Sequence, residues 1–276
     1  AACLEAVNTA AMDPQFILIS RFNWPHPAWN TRPEQEYLDW VQGRLKLFAD
    51  LTAPSVRNGH GKIDRWLILV DLRKVDIRAE LKAITRGLPV QLVEYDGHDL
   101  VRSVRSALSD LTFPARVMTC RLDTDDLVGA SFVKSYRAVE IDAEDARRGV
   151  VLSFPGGAVY AADEQRFYFS SYPENPFLCY VEDRASADDL QTVYLAMHVD
   201  MIEVSAHARM LHTFRPAWAS VVHGDNVANQ SLMGVARSPF AETRKLMRYF
   251  GIPAPAKQPQ SRLARLKRSW RKLLQR

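Results

Sequence analysis

Cysteine is scarce in this 276-residue chain: Cys3, Cys120 and Cys179 form an odd set without metal-ligand spacing, which argues against a disulfide framework or a zinc ribbon. Long apolar runs are also missing. The best candidates, residues 16–19 and 66–70, have only the length of a strand, so neither a membrane-spanning helix nor a secretory leader is expected. No Gly-x-Gly-x-x-Gly follows a strand, and there is no Walker sequence, His-Glu-x-x-His or nucleophile elbow. Gly59-His60-Gly61-Lys62 has the wrong spacing for a phosphate loop and reads as a turn. No internal repeat is visible.

Positive charge is lacking over most of the length, despite a formal net charge of +4. Residues 261–276 carry seven of the 36 Lys and Arg and no acid, leaving 29 basic against 32 acidic residues elsewhere. Nucleic acid is therefore not an expected partner. In the tail, Leu263, Leu266, Trp270, Leu273 and Leu274 fall on one helical face and cations cover the rest, as in a helix lying on an anionic membrane surface or docking on a protein. Residues 251–260, with three prolines, read as a linker. Residues 1–14 are expected to be disordered or cloning-derived, and residues 15–250 to form the main domain.

With 47% hydrophobic and 10% aromatic residues, the chain can bury a substantial core. Strands are expected at 15–21, 65–72, 89–94 and 115–122, alternating with helical stripes at 34–51 (Leu38, Val41, Leu45, Phe48), 76–86 and 98–111. That alternation predicts an α/β fold with a mostly parallel sheet, whose ligands sit beyond the carboxyl ends of the strands. After Gly149 the texture changes. Segments 150–154, 158–162 and 166–171 read as a small antiparallel meander, with helices expected at 188–196 and 241–250 and a loop-rich stretch around Trp218.

Thr119-Cys120-Arg121-Leu122-Asp123-Thr124-Asp125-Asp126 is the most informative run, placing three carboxylates within four residues at a strand end. Such a cluster repels itself unless a cation offsets it, and Mg²⁺ or Mn²⁺ shared with a diphosphate does so. The competing reading makes Asp125 the cap, and Asp126 a dipole-favoured first-turn residue, of a helix beginning near Leu127. The glycine and terminal glutamate of an EF-hand loop are absent.

Several segments in order resemble the GT-A glycosyltransferases, and more closely a group of bacterial rhamnosyltransferases. They are Ile19-Ser20-Arg21-Phe22-Asn23, Arg44-Leu45-Lys46-Leu47-Phe48, Pro54-Ser55-Val56, residues 66–71 and 121–126, Asn175-Pro176-Phe177 leading to Glu182, and residues 218–226. The resemblance implies a GT-A fold and an inverting, metal-dependent enzyme that moves a sugar, L-rhamnose among the candidates, from a nucleoside diphosphate to a glycan or lipid-linked acceptor. It implies Asp125, Asp126 and His223 as metal ligands, and Arg21, Asn23, Asp71, Arg121 and Asp123 around the nucleotide sugar. Glu182 or Asp183 would be the base, with Glu182 the closer match. The enzyme would work at the cytoplasmic membrane face through residues 261–276. A nucleotidyl or phosphoryl transferase using the same carboxylates, and a non-catalytic membrane scaffold, are the competing readings. His198, His207 and His212 have no interpretable spacing.

Overall fold

The computed structural model describes residues 13–24, 33–95, 97–223 and 239–254. The first half alternates strand and helix as the sequence predicts. Strand β1 (Gln15–Arg21) leads to helix α1 (Glu34–Leu47), which continues through one wide turn, Phe48–Thr52, into α2 (Ala53–Arg57). Then follow β2 (Arg65–Val70), α3 (Arg78–Ile84), β3 (Val90–Glu94), α4 (Leu100–Ala107) and β4 (Ala115–Arg121). β1 and β2 are nearly continuous apolar runs because helices cover both faces of the sheet. Alternate residues separate the two cores: Phe16, Leu18, Trp66 and Ile68 pack with Tyr37, Val41 and Leu45 of α1, and Ile17, Ile19, Leu67 and Leu69 with Val104 and Leu108. Burying each large aliphatic side chain contributes about 1.5–3 kcal/mol.

The second half contains β5 (Leu127–Val128), α5 (Phe132–Arg137), α6 (Ala143–Arg148), β6 (Val150–Ser153), β7 (Gly156–Ala161), β8 (Arg166–Ser171) and β9 (Cys179–Arg184). α7 (Met201–Val204), β10 (His207–Met210), β11 (Trp218–Val222) and α8 (Thr243–Tyr249) complete the described elements. Two sheets result. The larger has the order β10-β6-β9-β4-β1-β2-β3, with β9 alone antiparallel to its neighbours. The smaller has the order β5-β11-β7-β8 and is covered by α8, whose following Phe250 stacks on Phe167 at 5.3 Å.

Several local expectations are corrected. The meander divides: β6 joins the large sheet, while β7 and β8 form a hairpin in the small one. The Pro155-Gly156-Gly157 signal marks a change of sheet instead of a turn, and Gly157 lies within β7 because the Trp218 indole crosses it, 2.2 Å from where a Cβ would stand. No helix starts at Leu127, where β5 pairs with β11, so the helix-cap reading of Asp125 fails. Residues 188–196 form one short turn, Ala187–Asp189, and then an irregular segment with Thr192 at φ 65°. Residues 218–222 are a strand, not a loop.

Of the expected linker, Gly251 at φ 69° ends α8 and Ile252 is buried. The basic tail, and residues 1–12, lie outside the described residues. Among the described residues no helix is long and apolar enough to cross a membrane.

Candidate active site

β1, β2 and β4 run side by side, so Arg21, Asp71 and the acidic run emerge at one edge of the sheet. Asp123 is the first carboxylate beyond β4. Arg121, two residues earlier on the same face, donates to Asp123 Oδ2 at 2.8 Å, and Arg21 from β1 lies 3.6 Å from Oδ1. Burial opposes ionisation of this carboxyl, but the two guanidiniums outweigh it and hold it well below the usual carboxylate range. Both cations face the Tyr194 ring, at 5.7 and 5.9 Å, and Arg21 also lies over Trp24 at 4.8 Å.

Asp125 faces helix α1 and strand β11. Arg44 of α1 donates to Thr124 Oγ1 at 3.0 Å and reaches Asp125 Oδ1 at 3.5 Å, while His223 Nε2 meets Asp125 Oδ2 at 3.2 Å. The structure thus joins residues 98 positions apart in sequence. Burial again works against ionisation, and Arg44 with His223 keeps the Asp125 carboxyl below its ordinary value.

Asp126 turns inward and is 1% exposed, its Oδ1 accepting the Val221 N–H at 2.8 Å. This bond ties the acidic loop to β11 two residues before His223, so Asp126 sets the position of the histidine. Burial, reinforced by Asp125 and Asp123, pushes its carboxyl well above the usual range.

Among the described residues no group of three or more His, Cys, Asp and Glu side chains is arranged to hold a metal ion. Asp125 Oδ2 and His223 Nε2 nevertheless fit an ion such as Mg²⁺ or Mn²⁺, which draws the rest of its shell from water and phosphate oxygens. Asp126, the third expected ligand, is 1% exposed and spends Oδ1 on the Val221 N–H.

Residues 15–235 match the family model described as "Putative rhamnosyl transferase". The chain belongs to this sugar-transferase family. No curated protein sequence matches it. Among solved structures, residues 1–349 of TarS from S. aureus align with TM-score 0.41 and 9% identity, over 75% of this chain and 60% of that one. The chain therefore spans less than two thirds of that TarS structure. The inositol-1-phosphate CTP transferase from T. maritima aligns with TM-score 0.38 and 13% identity, covering 82% of this chain and 96% of that one.

Within this rhamnosyl transferase family member, the other expected site residues fall into two groups. Asp71 borders a cavity of about 460 Å³ lined by Leu72, Arg73, Glu94, Tyr95 and Ser103. Its oxygens accept from Arg73, at 2.8 and 2.7 Å, and these bonds hold its carboxyl low against the effect of burial. Asn23 is fully buried: its amide donates to the Asp71 carbonyl at 2.7 Å and to the Tyr37 hydroxyl at 3.1 Å, and its Oδ1 accepts the Asp71 N–H. It positions Asp71, and both of its side-chain N–H donors are used within the protein.

Glu182 and Asp183 are elsewhere. β9 runs against β4, with Glu182 opposite Val117 and Asp183 opposite Arg116. Four strand residues carry β4 from Val117 to its end at Arg121, about 13 Å at roughly 3.3 Å per residue, and Asp123 follows two residues later. Glu182 is 0% exposed and accepts the N–H groups of Gln191 and Thr192 at 3.0 and 2.8 Å, with Arg184 at 2.9 Å. Asp183 is gripped by Arg116 at 2.7 and 2.9 Å. Glu182 and Asp183, the expected base, are thus both buried, bonded within the protein and paired with the first residues of β4, away from the aspartate loop.

Two side chains of this site, Arg44 and Tyr194, and the nearby His198 had no assigned role in the sequence. Arg44 stands in a segment that carries the family resemblance, and its charge on the helix bearing the Val41 and Leu45 stripe was the available signal. Tyr194 and His198 gave none, because their segment has no regular period.

Proposed function

We propose that this protein is a GT-A, inverting glycosyltransferase that moves a hexose, with L-rhamnose the candidate, from a nucleoside diphosphate to a hydroxyl of a glycan or lipid-linked acceptor. One observation carries the reading. The Asp125–His223 pair, 3.2 Å apart, stands beside three guanidiniums, Arg21, Arg44 and Arg121, at the carboxyl edge of the sheet. Paired carboxylate and imidazole donors amid fixed cations suit a diphosphate leaving group with an accompanying divalent ion.

Asp125 and His223 would hold Mg²⁺ or Mn²⁺, which supplies Lewis-acid stabilisation of the departing diphosphate. Arg44 and Arg21 add fixed positive charge beside it. Asp123, ionised between Arg21 and Arg121, is placed to accept hydrogen bonds from the donor's ribose or sugar hydroxyls. Asp71, at the rim of its cavity, is placed for the nucleobase. Because these groups are set by buried bonds before any ligand arrives, little reorganisation opposes the transition state.

A thermal-shift screen of nucleotide sugars with Mn²⁺, followed by product analysis, tests this. A donor should raise the melting temperature, since it binds only the native state, and turnover should release a nucleoside diphosphate. Pyrophosphate release would instead identify nucleotidyl transfer. The composition of residues 261–276 supports attachment to an anionic membrane surface, each cation contributing about 1 kcal/mol. Deleting them should abolish binding to anionic liposomes, and unchanged binding would remove that part of the proposal.

A further inference from the structure

The displacement of Glu182 and Asp183 leaves the acceptor's proton without a receiver. One side chain is built for that task. The loop between β8 and β9 approaches the acidic edge, since the Leu178 carbonyl accepts the Arg121 N–H at 3.3 Å. Asn175 fixes this loop from inside: buried, it donates to main-chain carbonyls of Phe154 at 3.1 Å and Tyr172 at 2.9 Å and accepts the Phe177 N–H. The neighbouring Glu174 carbonyl contacts His198 Nδ1 at 2.5 Å. A carbonyl only accepts, so Nδ1 carries the hydrogen and Nε2 presents a lone pair.

The segment bearing His198 is pinned independently. Thr192 and Val193 donate to Glu182 and to Thr119 Oγ1, each at 2.8 Å, and Tyr194 lies against Arg21 and Arg121, the two cations that hold Asp123. Tyr172 closes the other side, edge-on to the imidazole at 6.1 Å. Among the described residues the hydrogen bond of this ring is the one at Nδ1, and none is made by Nε2. His198 is thus oriented by a main-chain carbonyl, with its second nitrogen available, on the segment that sets Tyr194 against Arg21 and Arg121.

We propose that His198 is the catalytic base of the transfer, an inference that rests on the sugar-transfer reading above. The acceptor oxygen bonds to the anomeric carbon as its O–H proton passes to Nε2. The bond from that carbon to the diphosphate oxygen breaks, with its electron pair leaving on the diphosphate, and the imidazolium later gives its proton to water. Tyr172 and the Glu174 carbonyl contact the ring, and the charges of Arg121 and Asp123 at the end of β4 and of Arg21 in β1 act on it. Burial, aided by the two guanidiniums, lowers the proton affinity of His198 against the pull of the Glu174 carbonyl and Asp123, so the ring is neutral and accepting at pH 7.

The test uses the full chain, Mn²⁺ and dTDP-L-rhamnose within a panel of nucleotide sugars, following nucleoside-diphosphate release from about pH 5 to 9. Asparagine in H198N keeps a donor near the Nδ1 position for the Glu174 carbonyl but has no basic nitrogen. Donor affinity by calorimetry and melting temperature should match wild type, kcat should fall about 10²–10⁴-fold, and the acid limb of the pH profile should vanish. A wild-type rate in H198N, or a slow rate with the acid limb in place, would overturn the assignment. An acid limb lost in E174Q and kept in H198N would give the role to the Glu174 carboxylate. If the wild-type chain binds none of the panel, the sugar-transfer reading itself falls; donor binding with an unimpaired H198N removes only the base.

Discussion

Two clusters of acids and arginines lie toward opposite ends of β4, and they differ in what is left over. At the Glu182 end the groups close on themselves: Glu182 is held by two N–H groups and Arg184, Asp183 by a two-pronged Arg116. At the Asp123 end Arg21 Nε, Arg44 Nε and Tyr194 Oη are buried without a hydrogen-bond partner among the described residues. Buried polar groups are ordinarily satisfied, because leaving one unpaired costs about 1–3 kcal/mol. The three unmet groups at the Asp123 end fit the proposal that a ligand docks there. Thr52 Oγ1, in the wide turn after α1, is also buried without a hydrogen-bond partner among the described residues, so an unmet bond points to a ligand only beside groups of matching chemistry.

Truncating each cluster should break the molecule in opposite ways. Glu182→Ala leaves Arg184 without its carboxylate and frees the N–H of Thr192, which the chain holds at φ 65°. The expected loss is about 3–5 kcal/mol of unfolding free energy by denaturant titration, with turnover per folded molecule retained. Asp125→Ala should do the reverse, lowering turnover about 10²–10³-fold while shifting the unfolding midpoint little. If Glu182→Ala keeps its stability and loses turnover, the two clusters have been assigned the wrong way round.

The contrast also shows how much was legible in the chain itself. β1, β2 and β4 could be read because each is a solid apolar run ending in polar residues, and a parallel sheet covered on both sides demands that pattern. The acidic run could be read because three carboxylates in four residues need a counter-charge. Which end of the sheet Glu182 occupies could not, since that depends on β9 running antiparallel between β4 and β6, a pairing of residues more than sixty positions apart from Arg116. Cys179-Tyr180-Val181 carries an apolar signal, but direction leaves no trace in composition. Tyr194 and His198 were hidden for a related reason: an irregular segment tied down by Glu182, Thr119 and Glu174 has no period to read.

A smaller effect sharpens the same comparison through pH. Burial raises the proton affinity of Glu182 above that of an ordinary glutamate, and its two main-chain donors and Arg184 only partly offset this. The folded chain therefore holds this proton more tightly than the unfolded chain does. The contribution to stability is fully present below the unfolded pKa, about 4.3, and is lost as pH rises from there through the higher folded value. In Glu182→Gln that component of the slope should disappear: as pH increases from about 4.3 through the higher folded value, the difference in unfolding free energy between wild type and variant should drift in the variant's favour. Turnover per folded molecule should not follow the drift, because the carboxylate lies at the closed end of the strand. A drift of the opposite sign would mean that Arg184 and the two N–H groups outweigh burial, making this cluster a source of net electrostatic stability as well as of geometry.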